Sequence, residues 1–163
     1  MKPVAGHIEG TRHVFPLRVY YEDTDAAGIV YYANYLKFAE RGRTEFLRLA
    51  GIDQSALREQ EGIFFAVRRA EIDYLKPARL DDVLEVVTQL TDMSIVKIDA
   101  QQTIRRGAEE LARVMMRVVC LRTDGRPARM PRTLYQQFLP YVRPATDTAG
   151  DRAGCDVNAT IGG

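Results

Sequence analysis

Histidine and serine are nearly missing from this chain. Its 163 residues hold two of each, His7 and His13, Ser55 and Ser94. Both histidines precede the first convincing strand, so a Ser-His-Asp or Cys-His site would need its base from a short N-terminal stretch. A zinc site built on two or three histidines meets the same difficulty. The two cysteines form no CxxC pair: Cys120 lies in the apolar run "VMMRVVCL" and Cys155 in a polar tail. They are expected to be free thiols of a cytosolic, cytoplasmic protein rather than a disulfide. No GxGxxG occurs, and no GxxxxGK followed by Ser or Thr, so neither common nucleotide-phosphate loop is present. No apolar run approaches the roughly 20 residues of a membrane span. The opening "MKPVAGHIEGTRHVFP" lacks the continuous apolar core of a secretory signal. A formal net charge of +1 makes no demand for nucleic acid or a charged membrane surface. An enzyme of this composition has to work with carboxylates, backbone N–H groups and tyrosines.

What is there supports one domain with a real core: 46% of the residues are hydrophobic, and the length is too small for two ordinary domains. "FPLRVYYED", residues 15–23, alternates as a strand, with Leu17, Val19 and Tyr21 on one face. From about Asn34 the period changes. Tyr35, Ala39, Gly42, Phe46 and Leu49 recur at helical spacing, with Lys37, Glu40, Arg41, Thr44 and Arg48 on much of the other side. Asn34 reads as N-cap and Gly51 as C-cap glycine of a helix of about four turns. Gly42 on the apolar face suggests close approach to a sheet, or a merely tolerated glycine. A shorter helical piece is expected over 54–61. Four runs rich in Val, Ile and Thr follow, separated by "LDD", "TDMS", "RRGAEE" and "TDGRP" as turns. A short helix begins after Pro131. Residues 1–13 read as an N-terminal arm, 14–141 as the domain, and 142–163 as a polar, glycine-rich tail expected to be disordered. Strand, long helix, then four strands imply an α+β layer architecture, a five-stranded antiparallel sheet against one long helix. A sheet so covered on one side is expected to self-associate.

The stretch "YYEDTDAAGIVYYANY", residues 20–35, concentrates the chemistry. Asp25 ends a strand beside a turn of Ala26, Ala27 and Gly28, and the long helix follows. The first turn of a helix exposes unpaired N–H groups and the positive end of the macrodipole, which would polarise a carbonyl and stabilise an oxyanion. A carboxylate about seven residues upstream, across a glycine turn, can address the same carbonyl carbon. Aromatic and aliphatic neighbours would exclude water and make it more basic. A thioester suits this arrangement, with Asp25 acting as base on water or as nucleophile. The structural alternative is a turn or capping aspartate. Metal binding by Glu22, Asp23 and Asp25 is disfavoured, because strand alternation sends the first two to opposite faces.

"RVYYEDTDAAGIVYYANYLKFAERGRTEFLR", residues 18–48, and "FAVRRAEIDYLKPARLDDVLEV", residues 65–86, resemble the hotdog-fold acyl-CoA thioesterases, specifically the Tol–Pal-associated branch related to 4-hydroxybenzoyl-CoA thioesterase. The resemblance implies the hotdog fold, a homodimer or homotetramer with sites at the subunit interface, and hydrolysis of acyl-CoA. It implies no metal or redox cofactor, coenzyme A being part of the substrate. By position, Asp25 is similar to the catalytic carboxylate, Tyr21 to a site-lining tyrosine and Gly28 to the glycine of the turn. Tyr32 stands where the Tol–Pal branch carries a histidine; the hydroxybenzoyl branch has a tyrosine there, whose backbone N–H polarises the thioester carbonyl. Tyr32 is therefore assigned a main-chain role, losing a group that titrates near neutrality. Tyr31 is a candidate for the acyl pocket, and Tyr35 reads as core.

Arg68–Arg69, Arg105–Arg106 and Arg126, Arg129 and Arg132 are candidates for CoA phosphates, against the plainer reading of solvated arginines. Arg79 and Asp81 read as turn residues. Two rival functions remain: a non-catalytic acyl-CoA or acyl-carrier-protein binder or cell-envelope partner, and a hotdog dehydratase, which the lack of histidine after residue 13 disfavours. The enzymatic reading requires Asp25 to face the amino end of the long helix rather than bulk solvent.

Overall fold

The computed structural model of the chain describes residues 4–145. The expected tail therefore falls outside the described residues beyond Ala145, as does Cys155. Cys120 is a buried free thiol. The strands are β1 His7–Glu9, β2 Arg12–Arg18, β3 Ile63–Tyr74, β4 Val83–Met93, β5 Lys97–Arg106 and β6 Glu109–Arg122. The helices are α1 Asn34–Leu49, α2 Gln54–Ala56, which continues as a wider turn over Leu57–Glu61, and α3 Arg132–Phe138. The four late strands, the long helix and both short helical pieces lie where periodicity places them.

One antiparallel sheet in the order β1-β2-β4-β5-β6-β3 carries all six strands. Five strands were expected. The sixth, β1, is a three-residue strand turned back onto β2 at Gly10, with His7 opposite Val14. So residues 7–13 join the sheet and are not a separate arm. Register shifts at Val67/Arg69, Leu90/Asp92 and Ile104/Arg105 mark bulges on three strands. Bulges bend the strand that carries them, and here they curl the sheet around α1.

α1 buries Tyr35, Phe38, Ala39, Gly42 and Phe46. Leu49, expected on that face, is exposed, and Phe38 takes its share. At Gly42 the sheet comes close enough that an added Cβ would stand 2.7 Å from Val86 Cγ1, so the close-approach reading holds. Gln102, fully buried on β5, donates to Ala39 O (2.8 Å) and Thr88 Oγ1 (3.0 Å), tying helix to sheet through a satisfied buried amide. Gly51 terminates the helix with φ 76°.

The strand expected over 15–23 ends at Arg18. Tyr21–Asp23 form a single 3-10 turn instead. Asp23 causes the change: its Oδ2 accepts the Tyr20 N–H at 2.8 Å while its own N–H donates to Tyr20 O at 3.0 Å. A short acidic side chain that satisfies a nearby amide competes successfully with the ladder.

Candidate active site

Asp25, Ala26, Ala27 and Gly28 form a tight turn joining Thr24 to Val30, which pair antiparallel. Gly28 N–H donates to Asp25 O and Asp25 N–H to Ile29 O, both at 2.9 Å. Gly28 sits at φ 76°, a left-handed conformation that favours glycine and closes a bulged hairpin of this kind. The hairpin is clamped on the Pro77–Asp82 loop: Val30 N–H reaches Ala78 O at 2.9 Å, and Ile29 bridges Arg79. Asp82 holds that loop by accepting from Arg79 N (2.8 Å) and pairing with Arg106 (2.5 Å). Asp81, at φ 67°, donates its N–H to Val19 O, so the "PARLDD" residues fix a turn that supports the hairpin.

The amino end of α1 is built differently from expectation. Ala33, not Asn34, occupies the N-cap position. The buried Asn34 turns its amide back and donates Nδ2–H to Asp23 O at 2.8 Å. Asp23 O also accepts the Tyr31 N–H at 2.9 Å. With alanine at the N-cap there is no side-chain oxygen to accept from the first amides, and no side chain caps them. Tyr31 O accepts the Asn34 N–H at 2.9 Å; in a planar trans peptide the Tyr32 N–H then points the opposite way. Neither the Tyr32 nor the Ala33 N–H meets an acceptor among the described residues.

Around these amides stands a cluster of tyrosines. The Tyr31 and Tyr32 rings lie 4.7 Å apart, Tyr32 and Tyr74 6.3 Å, and Tyr35 and Tyr74 5.5 Å. The Tyr74 hydroxyl donates to Tyr32 O at 2.8 Å. Tyr35 is core, its hydroxyl accepting the Ala78 N–H at 3.0 Å. The Tyr31 hydroxyl is pushed above its usual pKa by the hydrogen bond and charge of Tyr32, with slight burial and the Asp25 charge adding to it.

Asp25 itself is exposed in the single chain, so the aromatic shielding expected around it does not exist within one protomer. It lies at the outer end of a hairpin whose neighbours Ala26, Ala27 and Gly28 are too small to cover it. Its Oδ1 accepts the Ala27 N–H at 2.9 Å, which is the turn-forming role that the sequence left open beside the catalytic one. Oδ2 has no hydrogen bond among the described residues. Tyr21 is 83% exposed and its ring meets none of the other candidates. Tyr31 meets the Tyr32 ring and feels the Asp25 charge, and Gly28 shapes the turn. The three acidic groups diverge, Asp23 inward and Asp25 outward. Among the described residues no cluster of three or more His, Cys, Asp or Glu is placed to hold a metal.

Two features escaped the sequence. Tyr74 lies within one of the strand-forming runs, and nothing in its spacing links it to Tyr32, in a loop 42 positions away. The second is a cavity of about 270 Å³ between α1 and the sheet, lined chiefly by Phe46, Leu47, Phe65, Val67, Leu90 and Phe138. Arg43 reaches its wall, donates to Gln102 Oε1 at 3.0 Å, and has no carboxylate within ion-pair distance among the described residues. Of the candidate phosphate-binding arginines, Arg105 is paired with Glu85, Arg106 with Asp82 and Glu109, Arg69 with Glu71, and Arg126 with Asp124. Arg68, Arg129 and Arg132 are exposed.

An antiparallel sheet curled around one long helix, with an acid-bearing hairpin at the helix's amino end, is the architecture of hotdog-fold thioesterases. The chain belongs to the thioesterase-like superfamily, whose family model matches residues 19–138. It is 39% identical over 125 residues to the acyl-CoA thioesterase YbgC of Haemophilus influenzae, covering 76% of this chain and 92% of that one. It is 42% identical over 132 residues to the acyl-CoA thioester hydrolase YbgC of Escherichia coli O6:H1, covering 76% and 93%. Among solved structures, a "Probable Thioesterase from Bartonella henselae" superposes with a TM-score of 0.71 at 37% identity, covering 74% of this chain and 99% of that chain.

Proposed function

We propose that the protein is a thioester hydrolase that cleaves acyl-CoA to free acid and coenzyme A at the amino end of α1. One observation carries the reading: the hairpin that carries Asp25, with its open Oδ2, is joined to the start of α1 by the buried Asn34–Asp23 hydrogen bond, and two consecutive N–H groups at that start have no acceptor among the described residues. The family match and the names of the YbgC relatives support it.

With the thioester oxygen at the Tyr32 N–H, two routes use the same groups. Asp25 takes a proton from water, which attacks the carbonyl carbon, or it attacks directly and forms a mixed anhydride that water opens. In either, the charge on the tetrahedral oxygen rests on main-chain donors. Collapse expels the CoA thiolate, which takes up a proton. Tyr31 and Tyr21 line the entrance, and Gly28 sets the turn. The reading assigns no metal or redox cofactor; coenzyme A enters as substrate, and a thioester on acyl-carrier protein presents the same carbonyl.

The exposure of Asp25 calls for a second copy. β3 is a sheet edge of 12 residues, and long open edges are templates for pairing. Two β3 edges running antiparallel set the Tyr74 end of one copy, with its tyrosines and α1 amino end, beside the Ile63–Val67 end of the other. There the 270 Å³ cavity opens, larger than the roughly 150 Å³ that holds a benzene ring, and offers an apolar room for the acyl group. The active unit is then a homodimer, or a homotetramer of such pairs. We place the protein in the Tol–Pal-associated branch and in the cytoplasm. Among the described residues no helix is long and apolar enough to cross a membrane.

A binding-only role draws on one observation, the use of Asp25 Oδ1 within its own turn. The two readings separate in one assay. The purified protein is given short, long and aromatic acyl-CoAs and free thiol is followed, beside Asp25→Asn. Hydrolysis that falls roughly 10²–10⁴-fold in the variant, the span of general-base catalysis, supports the enzyme; equal slow rates in both support binding alone.

A further inference from the structure

Beyond the groups assigned above, the Tyr32–Ala33 peptide is held by a side chain from a distant strand. Tyr74, the last residue of β3, sends its hydroxyl 2.8 Å to Tyr32 O. Its ring is set by edge contacts with the Tyr35 ring at 5.5 Å and the Tyr32 ring at 6.3 Å. Tyr35 is in turn immobilised: it is 3% exposed, and its hydroxyl takes the Ala78 N–H at 3.0 Å. A chain of contacts thus runs from the loop that supports the hairpin, through two tyrosine rings, to one carbonyl. Burial and the neighbouring tyrosines push the Tyr74 hydroxyl above its usual pKa, so it remains a donor throughout the neutral range.

A planar trans peptide aims its N–H opposite to its C=O. A donor clamped on Tyr32 O therefore fixes the direction of the Ala33 N–H. That amide has no acceptor among the described residues, and Ala33 has helical φ/ψ, −70° and −21°, so it points out of the helix's amino end. The preceding peptide is clamped in the same manner by Asn34 N–H on Tyr31 O. Preorganised donors are effective because they need no reorganisation during reaction. A peptide at the frayed start of a helix would otherwise be free to rock.

We propose that Tyr74 is a positioning residue that locks the Tyr32–Ala33 peptide, making the Ala33 N–H a second main-chain donor to the thioester oxygen beside that of Tyr32. The inference rests on the hydrolytic reading given above. It keeps the ring of Tyr74 as packing and assigns the hydroxyl alone to the chemistry.

The test compares native protein with Tyr74→Phe, which retains the ring. Two quantities are measured: the kcat and KM for an acyl-CoA, and the infrared carbonyl band of a bound ketone analogue in which CH2 replaces the thioester sulfur. We expect kcat to fall about tenfold with KM within about twofold, short of the 10²–10³ lost with an oxyanion donor itself. The bound carbonyl band should move back toward its position in free analogue. A fluorotyrosine at position 74, a stronger donor, should shift the band the other way. A Tyr74→Phe protein with native kcat and an unmoved band overturns the inference while leaving the hydrolase intact. A lowered melting temperature with an unmoved band also overturns it, in favour of packing. Native protein that releases no thiol from any acyl-CoA overturns the hydrolytic reading, and this inference falls with it.

Discussion

Asp23 turns its carboxylate inward onto the Tyr20 amide, while Asp25, two positions later, leaves one oxygen on its own turn and presents the other outward. The division follows from backbone shape: the 3-10 turn at Tyr21–Asp23 buries Asp23, and the tight hairpin between Thr24 and Val30 leaves Asp25 exposed in the single chain. Asn34 belongs to the same device, since its buried amide links Asp23 O to the start of α1. At Tyr32 the main chain carries the proposed role and the phenol is 61% exposed. Tyr32→Phe is therefore expected to lower turnover by less than about tenfold, because the N–H survives. A collapse matching that of Asp25→Asn, read in the same thiol assay, would refute the main-chain assignment. The acid, the glycine turn and the tyrosines were legible as residue types at one place. Which oxygen or amide each would present was not, because that depends on Asp23 and Asn34 meeting across eleven positions.

At the scale of elements, α1 and the sheet are separated at Gly42 by the width of a missing methyl group. Gly42→Ala gains helix propensity of about 1 kcal/mol. It also drives a Cβ to 2.7 Å from the β-branched, fully buried Val86. Overpacking outweighs propensity, and a net loss of about 1–2 kcal/mol is expected, a drop in Tm of about 2–8 °C by calorimetry. On β5, Asp99 is held by the Arg117 guanidinium at 2.7 and 2.9 Å and by Lys97 at 2.8 Å. These partners, Arg117 foremost, lower its pKa from 3.8 to about 2. A depressed carboxylate pKa means the unfolded chain binds the proton more readily. The stabilisation is thus complete above about pH 4 and is lost as pH falls toward 2. Asp99→Asn should cost about 1–2 kcal/mol at pH 7, allowing for the partly exposed setting. The gap between the two proteins should close in melts carried down to pH 2–3; a gap independent of pH would contradict the assignment. The alternation of β3 to β6 and the helical period of α1 were readable because each depends on neighbours in sequence. The 15–23 run misled because a side-chain acceptor two residues past the expected core positions bent the chain out of the ladder.

At the scale of the molecule, the proposed dimer makes the β3 edge part of the active unit. Val67, 48% exposed on that strand and at the cavity wall, is a suitable place to test it. A lysine there opposes edge pairing by charge repulsion across the two-fold axis. Val67→Lys is expected to shift the protein toward monomer in sedimentation or size-exclusion measurements, and acyl-CoA hydrolysis should fall with the dimer fraction. Full activity in a monomer would sink the shared-site arrangement.

The sequence by itself determined that this is an α+β fold with one long amphipathic helix and an antiparallel sheet, and it singled out Asp25 and the amides at the start of α1, where the proposed chemistry centres. Hydrophobic period, glycine and proline placement, and the scarcity of histidine and serine are properties of local or summed composition, and a chain cannot hide them. Only the tertiary structure decided the rest. The added strand β1 depends on a hairpin finding a partner edge. The open helix end depends on Ala33 taking the N-cap position, with Asn34 inside the helix and bonded to Asp23. The link from Tyr74 to Tyr32 depends on the carboxyl end of β3 arriving beside the start of α1. Each is a contact between residues remote in sequence or a choice between competing acceptors, and such choices are settled by packing.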